Sequence, residues 1–407
     1  MSQLAIHGGT KVREKPFPAW PLWTEEDAQA VADVVRSSAW GIPRGSKVNE
    51  FEQAFAEFQG ARFGVCTPSG TSALEIALRA CGVGFGDEVI TSPYTFIATA
   101  SSIFHIGAVP VFVDVDAETS NIDPGQIGNA LTPYTKAIMP VHVAGCPADM
   151  DSIISIARRH NLCVIEDACQ AHGARWREKG VGSIGDCGAF SFQSSKNLNC
   201  GEGGIGLMEE ETLYERAYAF HYVGNKKDGT PPKPLVLGTN NRMTEFQAAL
   251  LLSQMRHLPD QMRRRQANVA YLTGQLLQMG LDVQKRDPRV TSHAYHLFVI
   301  RYHPEGFDGV DRDRFIQALR AEGIPCGPGY RPLYREPVWQ SDAHVQSVLR
   351  SHPRKIDFAQ IHLPTCERIC KEEAIWLTQN VLLGDREDMN SIVEAVAKVQ
   401  ALASTLA

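Results

Sequence analysis

Between residues 63 and 208, short apolar runs alternate with segments patterned as helices, and few architectures accept that alternation. The apolar runs fall at 63–66, 88–91, 109–115, 137–142, 163–166, 187–192 and 204–208. Leu74, Ala77, Leu78 and Cys81 share one helical face, and helical patterns at 97–106, 121–131 and 149–160 separate later runs. Strands that are apolar throughout, rather than alternating, are buried on both faces. The expectation is an α/β fold with a mainly parallel sheet covered by helices. In such sheets ligand chemistry belongs at the carboxyl ends of the strands.

The flanks are patterned differently. Thr24 before Glu25, Glu26 and Asp27 reads as a helix start, because acidic residues oppose the helix dipole, and the helix is predicted over 24–38. Phe51, Ala54, Phe55 and Phe58 recur at helical spacing. Thr244 and Gln247 form a capping-box pattern for a helix to about 257, and a long helix is predicted over 263–279. An extended run at 296–302 and helices at 310–322 and 386–403 fit a smaller α+β unit. The chain has 407 residues, too many for one small core. The expected division is an arm at 1–20, a large domain at 21–260 and a small C-terminal domain at 261–407. The polar, proline-rich stretch 226–234 reads as an exposed loop.

Composition narrows the function classes. A hydrophobic share of 43% with 21% charged residues is that of a soluble globular protein. The net charge is −6 and no long basic stretch occurs, which argues against nucleic acid as a partner. No run approaches the ~20 apolar residues of a membrane span, and the first residues lack the apolar core of a signal peptide. The ten cysteines are scattered with no Cys-x-x-Cys pair, so thiols in a reducing cytoplasm are expected and no metal site is.

Four features lie at or just beyond the ends of the apolar runs. Ser69-Gly70-Thr71-Ser72 opens a helix, and its N–H groups are either capped or a cradle for phosphate. Phe96, beside Tyr94 and Thr95, could stack on a flat ring or pack in the core. Asp167 ends an apolar strand, where a carboxylate needs a partner: a helix start, an arginine, or a protonated ring nitrogen that it would hold as an electron sink. Ser191 and Lys196 precede a turn containing Gly201, Gly203 and Gly204. A lysine fixed there is either a solvated charge or an amine placed to form a Schiff base. Their order along the sheet, more than any one of them, points to an aldehyde cofactor with a phosphate.

With these segments in view, the chain resembles the DegT/DnrJ/EryC1/StrS family of fold-type I pyridoxal-phosphate (PLP) aminotransferases. The resemblance is carried by SGTSAL at 69–74, SPYTFIATA at 92–100, VPVFVDVD at 109–116 and MPVHVAG at 139–145. It continues through IEDACQAHGA at 165–174, SFQSSKNLNCGEGG at 191–204, GTNNRMTEFQAAL at 238–250 and LPTCERICKEEAIWL at 363–377. It implies that Lys196 forms the Schiff base and then shuttles a proton, and that Asp167 pairs with the ring nitrogen. It also implies that Gln170 meets the ring hydroxyl, Phe96 stacks on the ring, and Gly70, Thr71 and Ser191 hold the phosphate. Asn240 would reach the phosphate of a neighbouring subunit, making the enzyme a homodimer with shared sites.

The activity implied is transfer of an amino group from glutamate or glutamine to a cyclic ketone, either a keto sugar or an inosose-type cyclitol. Two further readings on the same scaffold are a nucleotide-linked keto-sugar aminotransferase and a dehydratase. Dehydratase relatives carry histidine at the lysine position, whereas this chain keeps Lys196. A non-catalytic regulator is opposed by the intact Lys196, Asp167 and glycines. Thr239 and Asn241 depart from the aromatic positions of the family's GYNYRM. The opening arm and the run EAIWLTQNVLLGDREDM resemble the aminocyclitol and aminohydroxybenzoate branches. The arm, Trp40, His142, Tyr330 and Trp376 are the pocket candidates.

Overall fold

A computed structural model describes residues 3–227 and 236–406. The predicted loop at 226–234 lies, from residue 228 on, outside the described residues. The apolar runs form strands β1 (Phe63–Thr67), β2 (Glu88–Thr91), β3 (Val109–Phe112), β4 (Thr135–Met139), β5 (Cys163–Asp167), β6 (Cys187–Ser191) and β7 (Gly204–Met208). They make one seven-stranded sheet in the order β1-β7-β6-β5-β4-β2-β3. Only β7 runs against its neighbours β1 and β6, and the pairs from β6 through β5, β4 and β2 to β3 are parallel. This is the mainly parallel α/β sheet expected from the sequence.

Successive side chains of a strand point to opposite faces, and here both faces are dry. Val89, Ala137, Met139, Ile165 and Ala189 pack with the helices Gly70–Ala80 and Glu211–His221. On the other face Phe190, Ile205 and Leu207 meet Phe51 and Phe55 of the helix Lys47–Gln59. Further along that face Ile90, Ile138 and Val164 meet Met150 and Ile153 of the helix Met150–His160. A sheet sandwiched this way leaves only the strand ends open for polar groups.

A second, antiparallel sheet of four strands joins Asp282–Val283, Leu297–Arg301, Ala374–Thr378 and Cys326–Gly327. The helices Leu258–Gln278, Arg312–Ala321 and Arg386–Ala401 share its core. The first of these begins five residues before the predicted start at 263, because Pro259 suits the first turn and Leu258 is buried. Thr24 and Thr244 stand at N-caps as predicted; the Thr244 N–H donates to the Gln247 side chain over 2.9 Å. The opening arm is pinned to the small sheet's core. Leu4 is buried there, Ala5 and Val12 donate N–H bonds to Glu322, and Arg13 pairs with Asp388 at 2.7 Å. The arm therefore does not line the cavity described next.

Candidate active site

The carboxyl ends of β5 and β6, the start of the helix Gly70–Ala80 and the loop around Lys196 enclose a cavity of about 420 Å³. Gly70, Thr71, Phe96, Asp167, Gln170, Ser191, Lys196 and Tyr330 all line it. Six of these come from the four strand-end features read in the sequence, and Gln170 from the family resemblance. Tyr330 arrives from the segment after the small-sheet strand Cys326–Gly327.

The helix start is built to approach the strands closely. Ser69 caps it, taking the Ser72 N–H at 3.1 Å on its hydroxyl and the Ala73 N–H at 3.1 Å on its carbonyl. That leaves the Gly70 and Thr71 N–H groups at the cavity. A Cβ on Gly70 would fall 2.6 Å from Ser191 Cβ and 2.9 Å from Cys169 Sγ, so only glycine lets the helix end sit here. Gly204 has the same role from β7, where a Cβ would lie 2.3 Å from the Ser69 carbonyl oxygen. N–H groups at the positive end of a helix, beside the Ser191 hydroxyl, fit a phosphate.

Asp167 is buried and its carboxylate is oriented by two protein donors. The Thr99 hydroxyl donates to Oδ2 at 2.7 Å and the Cys169 N–H to Oδ1 at 3.2 Å. Two oxygens held this way keep lone pairs for a cationic partner. Gln170 is fixed at both ends: its Oε1 accepts the Ala144 N–H at 2.7 Å and its Nε2 donates to Tyr330 Oη at 2.9 Å. Tyr330 keeps its own O–H free for the cavity. Burial raises the Tyr330 phenol well above its ordinary pKa, so it remains a donor.

Lys196 follows the Ser191 turn, with its N–H on the Gln193 carbonyl at 2.8 Å. Burial lowers its amine below the ordinary lysine value, against smaller opposing effects of Cys169 and Asp167. No ion pair within 4 Å of Lys196 occurs among the described residues. A lysine that is destabilised as a cation, beside a carboxylate and a helix N-terminus, fits an aldehyde cofactor with a phosphate.

The remaining candidates fall elsewhere. His142 is a correction. It is fully buried, with Nε2 donating to Glu166 at 2.9 Å and Nδ1 accepting the Ala148 N–H at 3.0 Å, so neither nitrogen is left for a ligand. Trp376 stands behind the wall: its indole N–H donates to Tyr94 Oη at 3.2 Å and its ring meets Tyr330 edge-on at 4.4 Å. Trp40 is half exposed, packs on Phe246 at 5.8 Å and is not part of the lining. Asn240 is exposed and does not line this chain's own cavity. Sequence reasoning missed Thr95, Thr99, Cys169 and His296, all of which line the cavity. Thr95 and Thr99 stand four residues apart on either side of Phe96, and their hydroxyls meet at 2.9 Å across the start of the helix Ala98–His105.

This sheet and cavity are those of a PLP-dependent aminotransferase of fold type I. The chain belongs to the DegT/DnrJ/EryC1/StrS aminotransferase family, whose family model matches residues 21–381, and that family's cofactor is PLP. A protein of Streptoalloteichus tenebrarius provisionally named L-glutamine:3-amino-2,3-dideoxy-scyllo-inosose aminotransferase is 42% identical, with 98% of each chain covered. The L-glutamine:2-deoxy-scyllo-inosose aminotransferase of the same organism is 39% identical, with 97% of each covered. Among solved structures, 3-amino-5-hydroxybenzoic acid synthase superposes with a TM-score of 0.85 at 32% identity, covering 96% of this chain and all of that one.

Proposed function

We propose that the chain transfers the amino group of L-glutamine to the ring ketone of an aminocyclitol precursor, an inosose of the 2-deoxy-scyllo type or its 3-amino derivative. The observation that carries this reading is the cavity that sets Lys196, Asp167 and the Gly70 helix end together, in a chain similar over its whole length to aminotransferases of such inososes. PLP supplies a carbonyl that exchanges for the donor's amine and a ring that withdraws electrons from the carbon losing its proton. Gly70, Thr71 and Ser191 would hold the phosphate. Asp167 would pair with the protonated ring nitrogen, and Thr99 keeps that carboxylate in place. Phe96 would pack on the ring, and Gln170, anchored on Ala144, would bind the ring hydroxyl. Lys196, whose amine burial holds below the ordinary lysine value, would take the proton from the donor's α-carbon and return it two atoms along, to the carbon that had been the cofactor's carbonyl. Amine and carbonyl oxygen change places between the two substrates, and the same steps run in reverse on the cyclic ketone.

The division at 1–20, 21–260 and 261–407 is proposed as the domain plan, with the helix Leu258–Gln278 as the link. A homodimer with shared sites is part of the reading. Phe96, at 57% exposed, leaves an aromatic face open beside the cavity, and Asn240 is exposed at a position that does not serve its own site. The cytoplasm is the proposed compartment, since all ten cysteines are free thiols. No helix among the described residues is long and apolar enough to cross a membrane. The test is an acceptor screen with the pyridoxamine-phosphate form of the enzyme. Turnover of inososes supports the reading, and turnover of nucleotide-linked keto sugars alone overturns it.

A further inference from the structure

Gln170 enters the cavity from the loop beyond β5, and two sides of the protein hold its amide. On one side the Ala144 N–H meets it at 2.7 Å. A backbone N–H can only donate, so the amide atom it meets is the oxygen Oε1 and the other is Nε2. Ala144 is turned to make this bond: its φ is 60°, a left-handed backbone that alanine seldom adopts. The turn is fastened by the Val143 N–H on Asn121 Oδ1 at 3.0 Å and the Gly145 N–H on the His142 carbonyl at 3.0 Å. Gly145, with φ 89°, lets it press on Gln170, since a Cβ there would lie 2.7 Å from the Gln170 carbonyl oxygen.

On the other side stands Tyr330, 160 positions further along the chain. Nε2 carries hydrogens and no lone pair to offer, so across their 2.9 Å contact Tyr330 Oη accepts. The phenol is clamped. Its ring meets Tyr94 edge-on at 5.5 Å and Trp376 edge-on at 4.4 Å, and the Trp376 indole N–H donates to Tyr94 Oη at 3.2 Å. Tyr94 lies just beyond β2 and Trp376 in the small-sheet strand Ala374–Thr378, so both sheets set the direction of the phenol. An amide nitrogen has two hydrogens, and only one of Gln170's has an acceptor among the described residues. Gln170 is 3% exposed and lines the cavity, so the second hydrogen is left to the cavity.

We propose that Tyr330 is a positioning residue for the cofactor: by taking one hydrogen of the Gln170 amide, it holds the other toward the ring hydroxyl of bound PLP. This rests on the reading above, in which Gln170 would bind that hydroxyl. The ring oxygen gains negative charge when the proton it shares with the Lys196 nitrogen leaves, and a hydrogen bond to the charged form favours it. A donor anchored at both ends is already oriented when the cofactor arrives and needs no reorganisation. Without Oη, Gln170 keeps its oxygen on Ala144, but its amide plane turns about that bond, and a buried N–H without an acceptor takes any other it can find. The contact to the ring then weakens although Gln170 itself is unchanged. The competing role for Tyr330 is direct: its own hydrogen has no acceptor among the described residues and is free for a hydroxyl of the acceptor ketone.

The experiment titrates the visible absorption of the PLP-loaded enzyme against pH for wild type, Tyr330→Phe, Gln170→Leu and the double variant. PLP affinity of each apoenzyme and the KM for 2-deoxy-scyllo-inosose are measured beside it. Tyr330→Phe removes one oxygen and keeps the ring against Tyr94 and Trp376. It should raise the pH midpoint of the colour change by ~0.5–1 unit, as weakening a hydrogen bond to the charged form does. Gln170→Leu should raise the midpoint at least as far, and Tyr330→Phe should then add nothing in the double variant. An unmoved midpoint in Tyr330→Phe overturns the inference. With a raised KM that result assigns the phenol to the ketone, and with lowered PLP affinity alone it leaves Tyr330 a packing role. Shifts that add in the double variant also overturn it, because Tyr330 then acts without Gln170. If the wild type gives no visible band with PLP, or L-glutamine does not convert it, the functional reading fails instead.

Discussion

The Thr99 hydroxyl donates to Asp167 Oδ2 over 2.7 Å and in turn lies 2.9 Å from the Thr95 hydroxyl. The direction of this relay is set by chemistry. An ionised carboxylate only accepts, so Thr99 donates to it and takes its own bond from Thr95. All three side chains are buried, where a hydrogen bond to a charge is worth ~1.5–3 kcal/mol. Thr99→Val is therefore expected to lower kcat about 10- to 100-fold, by that same interaction energy, and to weaken PLP retention. Thr99→Ser should recover most of both. Steady-state kinetics and PLP titration of the apoenzyme check this; equal activity of the valine and serine variants would remove the relay from the account.

Gly70 makes a steric prediction. In Gly70→Ala the new methyl meets Ser191 Cβ at 2.6 Å, a backbone-proximal atom that cannot swing aside. The helix end or β6 must shift. Overpacking of this kind costs ~1–3 kcal/mol, and PLP affinity should fall about 5- to 150-fold if that cost is borne by the cofactor site. Thermal melts with and without PLP measure both parts.

The arm supplies a test of stability away from the chemistry. Arg13 and Asp388 are both buried and paired at 2.7 Å, and Arg13 also donates to Ser391 at 3.1 Å. Removing one partner leaves the other charge buried, at a cost of ~3–5 kcal/mol. Arg13→Ala should lower the urea midpoint accordingly. Because the arm does not line the cavity, kcat of the fraction that remains folded should hold.

Four buried histidines set an acid limit. Burial lowers His172 to about 3, His221 to about 4 and His293 to about 3, and holds His296 well below its ordinary value. The unfolded chain takes up these protons near pH ~6.5, whereas the folded chain refuses them until far lower pH. Stability is therefore highest above pH ~6.5 and falls as pH drops below it, by up to ~1.4 kcal/mol per pH unit for each histidine. Denaturant midpoints between pH 7 and 5 should show this slope, and His221→Phe should reduce it by one histidine's share.

Much of the fold was legible because the strands are dry on both faces. The runs at 88–91 and 204–208 match β2 and β7 residue for residue, each bounded by glycine or a polar turn. The run at 109–115 overshot: β3 ends at Phe112, and Val113 and Val115 are buried without belonging to the strand. Periodicity cannot separate a buried strand from a buried turn. The cofactor-facing residues were legible where chemistry and order coincide, as in Gly70, Asp167 and Lys196. His142 misled because a histidine near a strand end looks available until its two partners, Glu166 and the Ala148 N–H, are known. Thr99 and His296 escaped because their meaning lies in contacts with residues 68 and 99 positions away. No local pattern encodes such a distance.

The most direct measurement follows the nitrogen. Wild-type enzyme with PLP, L-glutamine labelled with nitrogen-15 at the α-amine and 2-deoxy-scyllo-inosose should yield a cyclitol amine carrying the label. Lys196→Ala under the same conditions should yield none above background. Label transfer at the wild-type rate without Lys196, or a wild-type product that holds no nitrogen-15, would contradict the account.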